Sequence, residues 1–214
     1  MPSTPDTTPP LAEFERLIER ARLAADAAYA NIVDNAPELA SGDHWMPRVL
    51  RITQEAASLK SRYRKLVRWA DETAAQIAPH AQCRQGCAHC CHIAVSLTEQ
   101  EAAFIGEAIG KAPKKPVRAH RLSDGGIEPQ KDIAYYQGAP CPFLDGQSCD
   151  IYDNRPLACR LHFNLGDARL CAPDVPSDLR GVPNLDFFPL SIAMTTMMLE
   201  KKPDAAVADI REFF

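Results

Sequence analysis

The ten residues from Cys83 to His92, CRQGCAHCCH, hold four cysteines and two histidines in a chain with no cysteine before them. A lone cysteine usually serves as a small buried hydrophobe, but clustered thiolates are soft donors that suit zinc and iron–sulfur centres. Four more follow at Cys141, Cys149, Cys159 and Cys171, most of them close to turn-forming residues such as Pro142, Asp145-Gly146 and Asn154-Arg155-Pro156. Eight thiolates can form two zinc sites of four, one [4Fe–4S] cluster with four cysteines to spare, or a cluster and a zinc.

The spacing narrows how the first block could work. On an α-helix, steps of three and four place Cys83, Cys87 and Cys90 within a sector of about 100°, and Gly86 lets the backbone bend beside a bulky inorganic centre. Adjacent Cys90 and Cys91 do not easily share one small ion from extended backbone, where successive side chains face opposite ways. Either the segment is helical, or the pair serves two sites or two irons of one cluster. His80, His89, His92 and His162 are candidate replacement ligands, although a histidine near such a site more often stands on the surface or behind the ligands. The spacing Cys83-x3-Cys87-x2-Cys90 also occurs in radical-SAM enzymes, but the chain has no run of βα units to build their barrel. No CxxC stands beside a βαβ pattern as in a thioredoxin-like protein. There is no G-x-S-x-G, H-E-x-x-H or P-loop, so nothing in the motifs establishes catalysis.

Composition sets the context. The chain has 214 residues, 46% hydrophobic and 24% charged, as in a globular protein, with a net charge of -4. Its pI of about 5.9 argues against nucleic acid or an anionic membrane as partner. No apolar run is long enough to span a bilayer, and the start, MPSTPDTTPP, lacks the pattern of a signal peptide. The expected location is cytoplasmic, where clustered cysteines bind metal more often than they form disulfides.

The elements that position these residues are mostly helical. Residues 1–10 read as a flexible arm. Leu11, Phe14, Leu17, Ile18, Ala21, Ala24, Ala25 and Ala28 recur at helical spacing over 10–34. A second long helix is expected over 47–78, with Val49, Ile52, Leu59, Leu66, Ala70 and Ile77 on its apolar side and a solvated basic face opposite. Thr98 followed by Glu101 is a capping-box signal for a helix over 99–110. Residues 111–138 read as an excursion with a short helix or strand near 131–136. A buried helix follows over 189–200, its methionines acting as core. The fold class is mainly α, an N-terminal helical hairpin (11–80) packed on an irregular, metal-stapled, cysteine-rich domain (81–200), with a tail or short helix at 201–214.

Two blocks together, CRQGCAHCCHIAVSLTEQEA and CPFLDGQSCDIYDNRPLACR, resemble the YkgJ-like cysteine-cluster proteins, described as zinc- or iron-chelating. The family pattern C-x3-C-x2-C-C, then C-P-[FL]-L, a cysteine, I-Y, R-P and C-R is met by Cys83, Cys87, Cys90, Cys91, Cys141, Pro142, Phe143, Leu144, Cys149, Ile151, Tyr152, Arg155, Pro156, Cys159 and Arg160. Cys171 lies beyond it. The resemblance implies a zinc or iron–sulfur site built from both blocks. One similar group, the flagellin lysine methylases, is thought to use such a cluster in methyl transfer, but its members are considerably longer. Arg155 and Arg160 would offset the negative charge of a thiolate-rich centre or bind an anionic ligand.

The leading expectation is a metal-binding protein whose ligands are all eight cysteines, with the N-terminal hairpin as a docking surface for a protein partner. The alternatives are an Fe–S-dependent enzyme, working by redox or methyl transfer, and a thiol-redox or metal-delivery protein. The last requires an exposed thiol of lowered pKa.

Overall fold

The computed structural model describes residues 11–125, 129–172, 175 and 184–214; the arm expected over 1–10 lies outside them. Helix accounts for 59% and strand for 6%, so the class is mainly α. Helix α1 (Leu11–Asn35) buries Phe14, Leu17, Ala21, Ala25, Ala28 and Ile32, the single stripe that its apolar repeat demands. A 3-10 turn at Pro37–Leu39 ends it, and Ser41 then caps α2 (Gly42–Thr53), its Oγ accepting from Asp43 N–H at 3.3 Å.

The long helix expected over 47–78 is two helices, α2 and α3 (Leu59–Ile77). Ser58 stands in extended conformation and caps α3, its Oγ accepting from Ser61 N–H at 3.2 Å. A serine that binds the backbone this way favours a new helix start over continuation. Three helices therefore form where a two-helix hairpin was expected. Helix α2 packs on α3 and on α7 (Phe188–Leu199), and α3 packs on α6 (Leu157–Arg160). Trp45, Trp69 and Phe187 meet at the centre of this core, with ring centroids 5.4 to 6.3 Å apart. Met194, Met197 and Met198 of α7 are buried in it, as core residues rather than ligands. On α3, Arg64, Lys65 and Arg68 are solvated, Lys65 meets Glu55 and Lys60 meets Glu107, but Arg62 of the expected basic face is buried and pairs with Glu200.

A second core unites Val95, Leu97, Ile105, Phe143, Ile151, Ile210 and Phe213. It forms around strand β1 (Ser96–Thr98), helix α4 (Glu99–Ile109) and the chain end. Helix α5 (Pro129–Tyr136) follows, and then a hairpin of β2 (Leu144–Asp145) and β3 (Ser148–Cys149). The segment expected as a tail or short helix contains both a strand and a helix. Strand β4 (Val207–Asp209) pairs antiparallel with β1, Leu97 opposite Ala208, and α8 (Ile210–Phe213) buries Phe213. Its apolar run, AAVADI, is too short to be distinguished from helix by periodicity alone.

Glu101 joins the two cores. Thr98 caps α4 by accepting from Glu101 N–H at 3.1 Å, but the glutamate side chain does not fold back to complete a capping box. It turns inward, fully buried, and Oε1 accepts from Tyr63 Oη at 3.2 Å and from Leu157 N–H at 3.0 Å, while Oε2 has no partner. Leu157 opens the helix that carries Cys159, so this carboxyl ties α6 to α3 and α4. Burial pushes its pKa up to about 7 against the hydrogen bonds from Leu157 and Tyr63. A carboxyl raised in the folded state contributes stability that is fully present below its ordinary value of 4.5 and lost as pH rises through about 7. Relative to wild type, Glu101→Gln should therefore gain stability as pH rises across that window, by roughly 1–3 kcal/mol at pH 8. Urea midpoints of both proteins at pH 5 and pH 8 measure this; a pH-independent difference would contradict it.

Candidate metal centre

The first cysteine block is a series of turns, not an α-helix. Gln82 N–H donates to Asn164 O at 2.7 Å, Cys87 N–H to Arg84 O at 3.0 Å, and Cys91 N–H to Ala88 O at 3.0 Å. Gly86 takes a φ of +89°, which β-carbon-bearing residues rarely adopt. Cys90 and Cys91 fall on a 3-10 turn spanning His89–His92, with their thiols as near neighbours. With three residues per turn, consecutive side chains leave such a helix about 120° apart.

The second block docks directly on the first, where Cys141 N–H donates to Cys91 O at 2.7 Å. Gly146, at φ +55°, lets the β2–β3 hairpin turn tightly, setting Leu144 opposite Cys149. Helix α6 presents Cys159, and the 3-10 turn Ala168–Cys171, capped by Asp167 onto Arg169 N–H at 2.9 Å, presents Cys171. Asn164 is fully buried between these segments. Its backbone N–H donates to Cys83 Sγ and its side-chain Nδ2 to Cys171 Sγ, both at 3.1 Å.

The chain end clamps the two blocks together. Asp209 is fully buried and accepts from Val95 N–H at 2.7 Å and from Arg211 Nη1 at 2.8 Å. Arg211 spends the rest of its fork on carbonyls of the cysteine-bearing loops. Nη2 reaches Cys91 O at 3.3 Å, Ile93 O at 3.2 Å and also Ala139 O, and Nε reaches Pro140 O at 3.1 Å. Nothing in the residue spacing singled out Asp209, Arg211 or Asn164, because their partners lie far away in sequence.

All eight cysteines, each half-buried, line one cavity of about 500 Å³. His89 and His162 line it as well. Among the described residues, no three Cys, His, Asp or Glu side chains converge closely enough to hold an ion as they stand, so the thiols surround the space rather than meet at a point. Burial pushes up the thiol pKa values of Cys83, Cys141, Cys149 and Cys159 and takes that of Cys171 to about 11. For Cys90 the neighbouring Cys91 thiol is the main cause of the rise, ahead of burial. The two arginines differ. Arg160 is buried and committed: Nη1 pairs with Asp71, Nη2 bonds Asp153 O, and Nε bonds Arg155 O at 2.9 Å. Arg155 lies over the Tyr152 ring at 3.6 Å, and its positive charge favours the thiolate forms of Cys90, Cys149 and Cys159.

A mainly helical frame thus gathers two cysteine blocks around one cavity. Residues 82–174 match the CxxCxxCC family, described as a "putative zinc- or iron-chelating domain". The match takes in all eight cysteines, Cys171 included. No curated protein and no solved structure matches the chain. No helix among the described residues is long and apolar enough to cross a membrane.

The clamp and the cavity arginine should separate on mutation. Arg211→Met leaves Asp209 charged and buried, which should cost roughly 3–5 kcal/mol in urea unfolding. Arg155→Met, at a partly exposed position, should cost less than about 1 kcal/mol. Equal costs would contradict the assignment of Arg211 as the structural link.

Proposed function

We propose that the protein is a metal-binding protein in which the cysteines of both blocks hold zinc or an iron–sulfur cluster as thiolates. The observation that carries this reading is that eight cysteines drawn from positions 83 to 171 face one cavity. Soft sulfur donors, with Arg155 at the wall to offset their charge, fit either group. When bound, zinc supplies a redox-inert crosslink, whereas a cluster supplies electron transfer or an iron site for a ligand. The protein's part is to bring the thiols together and to release their protons. Cys83 and Cys171 are oriented by Asn164, and the second block is registered on the first through Cys141 N–H and the Arg211 fork. Arg160 positions α6 through Asp71.

The direction of the thiol shifts supports this reading over thiol exchange. A redox-exchange cysteine needs a lowered pKa and exposure, yet burial raises Cys83, Cys141, Cys149, Cys159 and Cys171. Such thiols keep their protons until a cation takes their place, so loading should release protons and rigidify the loops.

Anaerobic purification with metal and sulfide analysis provides the test. Zinc, or iron with inorganic sulfide and a visible band that bleaches on reduction, is the expected result. Chelation should lower the melting temperature and make all eight cysteines open to alkylation. A metal-free protein with eight titratable thiols, unchanged by added zinc or iron, would overturn the proposal.

A further inference from the structure

We infer that the cavity holds two separate metal centres: Cys83, Cys87 and Cys171 belong to one, Cys141, Cys149 and Cys159 to the other, and the adjacent pair Cys90–Cys91 completes both. The inference rests on the metal-binding reading and states how the eight thiols are divided.

Three independent features support the division. The first is Asn164, whose polar groups leave no slack. Its side-chain oxygen accepts from Gly166 N–H at 2.8 Å and its Nδ2 donates to Asp167 O at 2.7 Å as well as to Cys171 Sγ. With the amide orientation fixed in this way, one residue clasps Cys83 and Cys171, 88 positions apart, against a single buried anchor. The thiols that bear most on Cys171 electrostatically are Cys83, Cys87 and Cys90.

The second feature is the apolar support behind each set. Cys83 packs against the core of α1, α2, α3 and α7. Cys141, Cys149 and Cys159 pack against the other core, with Val95, Phe143, Ile151 and Ile210. Cys159 has Cys90, Cys141 and Cys149 as its thiol neighbours, and Cys149 has Cys90. The second set is thus held together on one core and Cys83 on the other, and Arg155 lies beside Cys90, Cys149 and Cys159.

The third feature is the junction. Cys90 neighbours members of both sets, and Cys91 follows it on a 3-10 turn whose consecutive side chains diverge by about 120°. Adjacent on that turn and flanked by both sets, the two thiols can serve one ion each. Three thiolates on either side plus one from the junction make two four-sulfur sets, the donor number of a structural zinc site or of a [4Fe–4S] cluster.

Cadmium is the probe, because it takes the same tetrathiolate ligands and reports each site by its own NMR signal. The full chain, reduced and stripped of metal, is titrated with ¹¹³Cd²⁺. Two equivalents per chain and two tetrathiolate resonances are expected. The double variant Cys83→Ser/Cys171→Ser should lose one equivalent and one resonance, and Cys149→Ser/Cys159→Ser should lose the other. One equivalent with one resonance in the wild type would overturn the division even if neither variant folds, as would both variants losing the same resonance. Failure of the wild type to bind cadmium, with eight free thiols by titration, would instead overturn the underlying metal-binding reading.

Discussion

Arg211 is the interaction on which the geometry of the cavity depends. Its guanidinium, paired to the buried carboxylate of Asp209, bonds carbonyls on both sides of the gap between the first cysteine block and the approach to the second. A planar five-donor fork can do this where an ammonium cannot. The pair sits at the end of β4, and that strand is held by β1, directly after the first block. The last residues of the chain therefore fix the distance between two cysteine-bearing segments that lie about fifty residues apart in sequence. Asn164 performs the same service at the opposite wall.

The frame around the cavity follows from ordinary packing. Two apolar cores need some contact to act as one body, and the contact here is polar and buried: Glu101 accepts from Tyr63 of α3 and from the first residue of α6. A carboxyl in that position is sensitive to its protonation state, so the frame is firmer when Glu101 is neutral. Arg160 and its partner Asp71 reinforce the same join between α3 and α6 from the cavity side. A close approach of backbones adds to it. A β-carbon at Gly166 would lie 2.7 Å from Ala21 O, so only glycine lets α1 settle against the loop between Cys159 and Cys171.

The cavity thiols were legible in the sequence and much of their support was not. Cysteine spacing identified all the thiols that face the cavity, and helical periodicity located α1, α4 and α7 to within a residue or two. The break between α2 and α3 was missed because the apolar repeat runs on through it, with no glycine or proline at 54–58; only Ser58 marks the new start. Glu101 was found for the wrong bond, since a capping-box signal reads the backbone spacing and cannot tell that the side chain is drawn inward by Tyr63. Asp209, Arg211 and Asn164 had no local signature. Each is one charged or polar residue among many until the fold brings its partners in from about 70 to 120 positions away. For adjacent Cys90 and Cys91 the spacing left open a helical segment, two sites or two irons of one cluster, and the backbone there is a 3-10 turn.

The most direct test of the central claim, that thiolates from both blocks form the metal coordination, is metal-edge X-ray absorption on the anaerobically purified full chain. The account predicts a first shell of about four sulfurs at about 2.3 Å per metal atom. A shell dominated by nitrogen or oxygen would contradict it.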